Sequence, residues 1–377
     1  MHETAQRARQ LVDETVRPSV RDWEAAAAYP RQVAAASGLT GLFAPTSAGG
    51  LDLGFEDGMA VFEELGRGDA AFAFSLSMHN AVASAIARAA PPDVADRWAA
   101  RLAAGDALGG FSLTEPHAGS DATAITTLAT ETGDGWRIDG RKAWVSLAGE
   151  ADVFLVVCKT ARGPGHRDIA VFAVDRRAEG VSFPVLYETN CARFLPIGEM
   201  ALEGVRGDLV VPAGSGMRAA LGAIDVARCD IAAIACGVQA EALEIGLRQA
   251  RQRQVAGGRL LEMQGVQWQL ADLATDLEAS RLLVGAAARA LGTPEGPVAV
   301  AHAKRFSPDA ALRAAITASE LLGAYGWLDD HDPARLISLA KMLQVVDGTA
   351  EIQRIVIARA ILAEQGDRPP VPVQTAG

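Results

Sequence analysis

LISLAKMLQVVDGTAEIQRIVIARAIL, residues 336–362, holds two helical patterns separated by Asp347-Gly348-Thr349. Leu336, Leu339, Leu343 and Val346 recur at helical spacing, so one face of the first helix is apolar. Gly is a common helix terminator and Thr a good N-cap, which predicts a second helix from Thr349. Its stripe is Ile352, Ile355, Ala358 and Leu362. One carboxylate, Asp347, therefore stands at the joint of two apolar helices. It opens a turn before Gly, or it is a desolvated base with a raised pKa.

The rest of the chain brings the total to 377 residues, half of them hydrophobic, enough for two or three domains with large cores. Lys and Arg total 35 against 46 Asp and Glu, a net charge of −11. No basic run interrupts that balance, which excludes nucleic acid as a partner. The first residues, MHETAQRARQ, lack the apolar core of a signal peptide. No apolar run is expected to reach the roughly 20 residues of a membrane span; Ala219–Val238 contains Asp225, Arg228 and Asp230. Cys158, Cys191, Cys229 and Cys236 make neither a CxxC pair nor a zinc spacing, so reduced thiols and no metal are expected. The expectation is an acidic, cytoplasmic protein with no membrane attachment.

Residues 1–106 are Ala-rich and helical in pattern, punctuated by Pro18, Pro30, Gly49-Gly50 and Pro91-Pro92. Phe55–Leu65 reads as an amphipathic helix and Gly66–Asn80 as a buried one. Over 107–212, glycines separate β-type runs at Thr126–Thr130, Trp136–Ile138, Val153–Cys158, Ile169–Val174 and Leu209–Val211. Asp134-Gly135 and Asp139-Gly140 are hairpin signals, and the whole predicts a compact antiparallel β domain. Over 213–377, helical periodicity returns in Ala219–Gln254, Gln264–Leu291, Pro297–Leu322 and the opening stretch, read as a four-helix bundle. The tail after Gln365, with Pro369, Pro370 and Pro372, is expected to be loose. The fold class is α+β, ordered helical, β, helical.

Phe111–Asp121, FSLTEPHAGSD, offers backbone N–H groups around Gly119-Ser120 that could wrap a phosphate. LTEPHAGSD, KAWVS, the Arg253–Gln264 segment and DGTAEIQRIVIAR, in that order, resemble the acyl-CoA dehydrogenase family of flavoproteins over roughly Leu39–Leu362. The resemblance implies FAD between the β domain and the C-terminal helices. By matched position, Leu113 and Thr114 contact the flavin ring, and Gly119 and Ser120 the pyrophosphate. Trp144 lies against the isoalloxazine, and Ser146, usually Thr in the family, offers its hydroxyl to flavin N5. Without the resemblance, Trp144 reads as core packing, Ser146 as a strand hydroxyl and His117 as a surface residue. Arg253, Gln264 and Gly323 fall where the family binds the FAD adenosine-pyrophosphate across a subunit interface, and Thr349 and Glu351 match an adenine-side pair. A homo-oligomer, dimer or dimer of dimers, is thereby implied. Ala256, Arg259, Glu320 and Ala324 depart from the pattern, which bears on FAD affinity more than on binding mode.

Asp347 aligns with the family's usual catalytic Glu. There the carboxylate takes the α proton of an acyl thioester while a β hydride passes to flavin N5. Some relatives place the base just before the Arg of a D-x-x-R segment, here Asp225–Arg228, where Ala227 cannot serve. Asp is one methylene shorter than Glu, roughly 1.5 Å, and misplacement on that scale costs about a hundredfold in rate. Asp225, Arg228, Val346 and Gly348 fall on the substrate side; Arg228 reads otherwise as a surface ion pair. Arg193 matches the family, but Leu195 and Cys191 replace residues near the CoA arm, leaving CoA or an acyl carrier protein as the thioester's holder. The electron acceptor is another flavoprotein or O₂. Two further readings are an oxidase or monooxygenase of specialised metabolism on the same fold, and an inactive binding scaffold.

Overall fold

The structure, a computed structural model, describes residues 3–161, 167–328 and 332–365; the tail expected to be loose lies outside the described residues. Helices α1 (Glu3–Leu11), α2 (Arg17–Ala26) and α3 (Arg31–Ala36) lead into α4 (Phe55–Gly68), α5 (Ala70–Ala89) and α6 (Pro92–Ala104). The expected helix Gly66–Asn80 is broken at Asp69, whose extended backbone separates α4 from α5. Asp69 caps α5 by accepting from the N–H groups of Ala71 (2.9 Å) and Phe72 (2.8 Å), and Arg335 donates to its other oxygen at 2.6 Å. Among the described residues α5 is the one helix long and apolar enough to cross a membrane, contrary to expectation; most of it is buried here as a core helix.

The β region contains β1 (Gly109–Ser112), β2 (Leu128–Thr132), β3 (Gly135–Ser146), β4 (Val153–Lys159), β5 (Ile169–Asp175), β6 (Val181–Ser182) and β7 (Ile197–Val211). The Asp134-Gly135 hairpin joins β2 to β3 as expected. Asp139-Gly140 makes no turn: it lies inside β3, at a register shift against β7. The sheet is also mixed rather than wholly antiparallel. β1 pairs with β4 in parallel, and β2 touches β4 the same way at Leu128–Lys159. The β2–β3 hairpin intervenes between β1 and β4 and supplies the long connection that a parallel pair needs. Pairings β4–β2–β3–β7–β5–β4 close the sheet on itself, which removes most free edges.

α7 (Gly216–Gln252) is 37 residues long, about 55 Å at helical rise. It crosses α4 with backbones in near contact. A Cβ on Gly66 would lie 2.3 Å from the Ile234 carbonyl oxygen, and one on Gly237 2.2 Å from that of Glu63. The short strands β8 (Gln254–Val255) and β9 (Gly258–Arg259) lead to α8 (Gln264–Ala290), α9 (Gly296–Leu322), α10 (Asp332–Val345) and α11 (Ala350–Glu364). The stripe expected to bury α11 does not do so within the chain. Gln353 is its one fully buried residue, and Ile355 and Ile361 are exposed.

Candidate active site

α10 ends at Val345, and the chain then turns through Asp347 (φ 52°) and Gly348 (φ 98°), both left-handed. Asp tolerates that region better than most residues with a Cβ. Gly is favoured at 348 by that φ, and an added Cβ would press on Arg228 Nη2 at 3.0 Å. Three helices hold the turn by its carbonyls. Arg228 Nε of α7 donates to Asp347 O (2.8 Å), Gln353 Nε2 of α11 to Gly348 O (3.3 Å), and Lys304 Nζ of α9 to Leu343 O (2.7 Å). Thr349 occupies the N-cap position of α11, but its side chain makes no capping bond.

Asp347 Oδ2 is buried without a hydrogen-bond partner. Burial pushes the carboxyl pKa up to about 6 against the opposing charges of Lys304 and Arg228. Burial also drives Lys304 down to about 8, with Asp347 opposing. Arg228 Nη1 donates to Asp225 Oδ1 at 2.9 Å, a half-buried pair rather than a solvated surface one. Asp347 borders a small cavity of about 20 Å³ whose other walls are apolar, including Met78 of α5, Phe111 and Leu155 of the sheet, and Ile224 and Ala227 of α7. A larger open groove, about 550 Å³, lies between α4, α7 and α8. Its Arg67 and Arg281 are paired with Glu244 and Glu63.

On the β side, a buried ion pair fixes the loop after β1. Lys142 Nζ donates to Glu115 Oε1 (2.8 Å) and to Leu113 O (2.9 Å), and Ala143 N donates to Thr114 O (2.9 Å). Glu115 also accepts from the backbone N–H groups of Thr126 (2.7 Å) and Thr127 (2.9 Å). Burial alone would push Glu115 up, but Lys142 and these donors hold it down at about 2. Immediately after Lys142 the β3–β7 register shifts, and Trp144 adopts φ 56° in that bulge. The bulge turns the indole outward, 64% exposed and 4.6 Å from the Tyr187 ring; Ser146 is buried two residues on. Trp144 is therefore not core packing. Gly119 and Ser120 are exposed, and a Cβ on Gly119 would meet nothing within 4 Å. His117 is exposed as expected, 3.7 Å from Glu115. A bare aromatic face, an open Gly-Ser loop and a strand with fixed carbonyls fit a flat cofactor bearing phosphates.

The structure thus gathers Asp347, Gly348, Val346, Arg228 and Asp225 at one joint, with Thr349 and Glu351 following on α11. Leu113, Thr114, Trp144 and Ser146 form a second group on the sheet, and its Phe111 borders the same cavity as Asp347. Arg253, Gln264 and Gly323 do not join them. Arg253 lies 25 residues beyond Arg228, about 38 Å along α7, where its Nη1 donates to Leu322 O (3.2 Å) beside Gly323. Gln264 opens α8 and is exposed. Glu115, Lys142, Lys304 and Gln353 were missed as site residues. Lys304 alone left a local sign, since it falls in the apolar stripe of α9 with Val300, Ala301 and Ser307.

Family models match in chain order: the N-terminal domain of acyl-CoA dehydrogenase over 2–106, its middle domain over 110–205 and its C-terminal domain over 214–362. An acyl-CoA dehydrogenase of Bacillus subtilis is 33% identical over 338 residues, covering 86% of this chain and 87% of that protein. Butyryl-CoA dehydrogenase from Megasphaera elsdenii superposes with a TM-score of 0.91 at 27% identity, over 96% of this chain and 99% of that one. Glutaryl-CoA dehydrogenase from Mycobacterium smegmatis in complex with FADH2 gives 0.89 at 27% identity, over 96% and 94%. With a buried carboxylate at the joint, an exposed indole on the sheet and these matches in sequence and fold, the chain belongs to the acyl-CoA dehydrogenase family and is an FAD-dependent oxidoreductase.

Proposed function

We propose that the enzyme dehydrogenates an acyl thioester between Cα and Cβ, with Asp347 taking the Cα proton. The observation that carries this reading is the buried, unpartnered Oδ2 of Asp347 at the edge of an apolar cavity. A carboxyl with a pKa of about 6 is ionised at neutral pH yet basic enough to accept a proton. Lys304 and Arg228 keep that charge tolerable, and Arg228 with Gln353 fixes the turn from which it acts. FAD, when bound, supplies the hydride acceptor for Cβ. Leu113, Thr114, Gly119, Ser120, Trp144 and Ser146 would hold it on the sheet side, and Thr349 and Glu351 from α11. Arg253, Gln264 and Gly323 would serve the site of a second copy, since α7 carries Arg253 away from its own chain's base. The exposed Ile355 and Ile361 on α11 favour such a homo-oligomer.

Arg193 lies 3.6 Å from Glu24 and Leu195 is buried in the core, so neither favours a conventional grip on the CoA phosphates. A carrier-bound acyl chain, entering on its phosphopantetheine arm, accords better with both.

The test is anaerobic addition of pantetheine thioesters, acetyl to octanoyl, to the FAD-loaded enzyme. Bleaching of the visible flavin band by one or more of them is expected, and an unchanged spectrum with all would sink the reading. Because the base must be ionised, the bleaching rate is expected to rise with pH through about 6 and to level off by neutrality. Slow recovery of colour in air fits transfer to another flavoprotein; immediate recovery with peroxide would assign an oxidase instead.

A further inference from the structure

Trp144 is an exposed aromatic held at φ 56°, a conformation in which a bulky residue is strained. Such strain persists only where the surroundings determine it, and an exposed ring left to itself samples several rotamers. The surroundings here include a short extended segment, residues 185–187, laid along β7. Glu199 N donates to Val185 O and Tyr187 N to Ile197 O, each at 2.8 Å. Gly198 lets the segment come close, since a Cβ there would lie 2.2 Å from the Val185 oxygen. On its other edge the same stretch of β7 pairs with β3, Gly198 with Val145 and Ile197 with Ser146. Tyr187 thereby reaches Trp144 across β7, with ring centroids 4.6 Å apart and planes tilted by 45°. The far end of the tyrosine is anchored as well. Its hydroxyl donates to Glu199 Oε1 (3.3 Å), and Arg141 Nε of β3 donates to Glu199 Oε2 (2.5 Å). Arg141, Glu199, Tyr187 and Trp144 thus close a circuit of contacts that starts and ends on β3.

Resting on the cofactor placement above, we propose that Tyr187 is a positioning residue for Trp144, fixing the plane of the indole against which the flavin ring of FAD lies. An aromatic neighbour in contact restrains a ring by more than the area it covers. The bond to Glu199 sets where the tyrosine stands, and the tyrosine sets where the indole stands. Trp144 is then preorganised, so binding of a flat ring does not have to include ordering the indole. Ser146 pairs with Ile197, the residue whose carbonyl holds Tyr187 N. The Ser146 hydroxyl and the indole therefore share one rigid frame.

The test needs no substrate. In the full chain stripped of flavin, the Trp144 signal is the difference in near-ultraviolet circular dichroism between wild type and Trp144→Leu. In a Tyr187→Leu background that difference is expected to lose most of its intensity, and in Tyr187→Phe, which keeps the ring, to retain most of it. Titration with FAD should then show a Kd raised about tenfold in Tyr187→Leu and about twofold in Tyr187→Phe, the span an aromatic pair commonly carries. The visible dichroism of the bound flavin should change in Tyr187→Leu and stay in Tyr187→Phe. Tyr187→Ala reads the same losses should the leucine fail to pack, and thermal melting reports whether each variant is folded. A Trp144 signal unchanged in both Tyr187→Leu and Tyr187→Ala would overturn the assignment. So would a lost signal with FAD affinity and flavin dichroism as in wild type, because the contact would then not serve the cofactor. If Trp144→Leu itself leaves both flavin readouts unchanged, the placement of Trp144 against the flavin fails, and this assignment with it.

Discussion

Asp347→Asn, loaded with FAD, is expected to bleach at least about 1,000-fold more slowly than wild type with any active thioester, since the amide cannot take a proton. Its flavin content should be unchanged. The fold should not suffer either. The Asp347 pKa in the folded chain lies above its unfolded value, so its contribution to stability is complete at low pH and is lost as pH rises through about 6. At neutral pH the folded protein therefore carries an ionised group it would hold more easily neutral, and Asn relieves that while tolerating the left-handed turn. Thermal melting at pH 7.5 should show a Tm equal to or above wild type, separating lost chemistry from lost structure. Full bleaching in the variant would remove Asp347 from the mechanism.

Lys142→Met carries the second large effect, on stability and cofactor together. Lys142 and Glu115 are both fully buried, and removing one partner of such a pair costs about 3–5 kcal/mol because the other charge is stranded. The damage is local to the loop that positions Leu113 and Thr114, since Lys142 also holds the Leu113 carbonyl. Purified Lys142→Met is therefore expected to melt several degrees lower and to lose most of its FAD. Adding Glu115→Gln should restore part of the Tm by removing the stranded charge. A single variant with wild-type Tm and full flavin would show that the pair positions nothing.

Local periodicity reached the helices of the C-terminal half, the break at Asp347-Gly348 and most strands, because each depends on neighbours within a turn or a pleat. Features set by distant partners were out of reach. The parallel β1–β4 pairing joins residues more than forty positions apart, and Asp139-Gly140, a turn by composition, is absorbed by a bulge in a long strand. Asp69 begins α5 through a local cap, but its second oxygen is completed by Arg335, far along the chain. The positions of Asp347 and Trp144 were found through motifs that resemble a family. The groups that hold them were not. Lys142 and Glu115 look like surface charges in a linear reading, and their burial follows only from helix and strand packing. The isolation of Arg253 from Asp347 is a matter of helix length, visible once α7 is seen to run unbroken for 37 residues.

The left-handed bend at Asp347 joins two properties that protein engineers usually vary separately. Chain direction and acid reach reside in one residue, whose carbonyl is clamped by Arg228 while its carboxyl borders the cavity. Lengthening the acid to Glu would replace a side chain at ease in that conformation with one that is less so. Under the proposed role of Asp347, retuning of this enzyme is expected at the opposite wall, as at Met78, rather than at the turn itself.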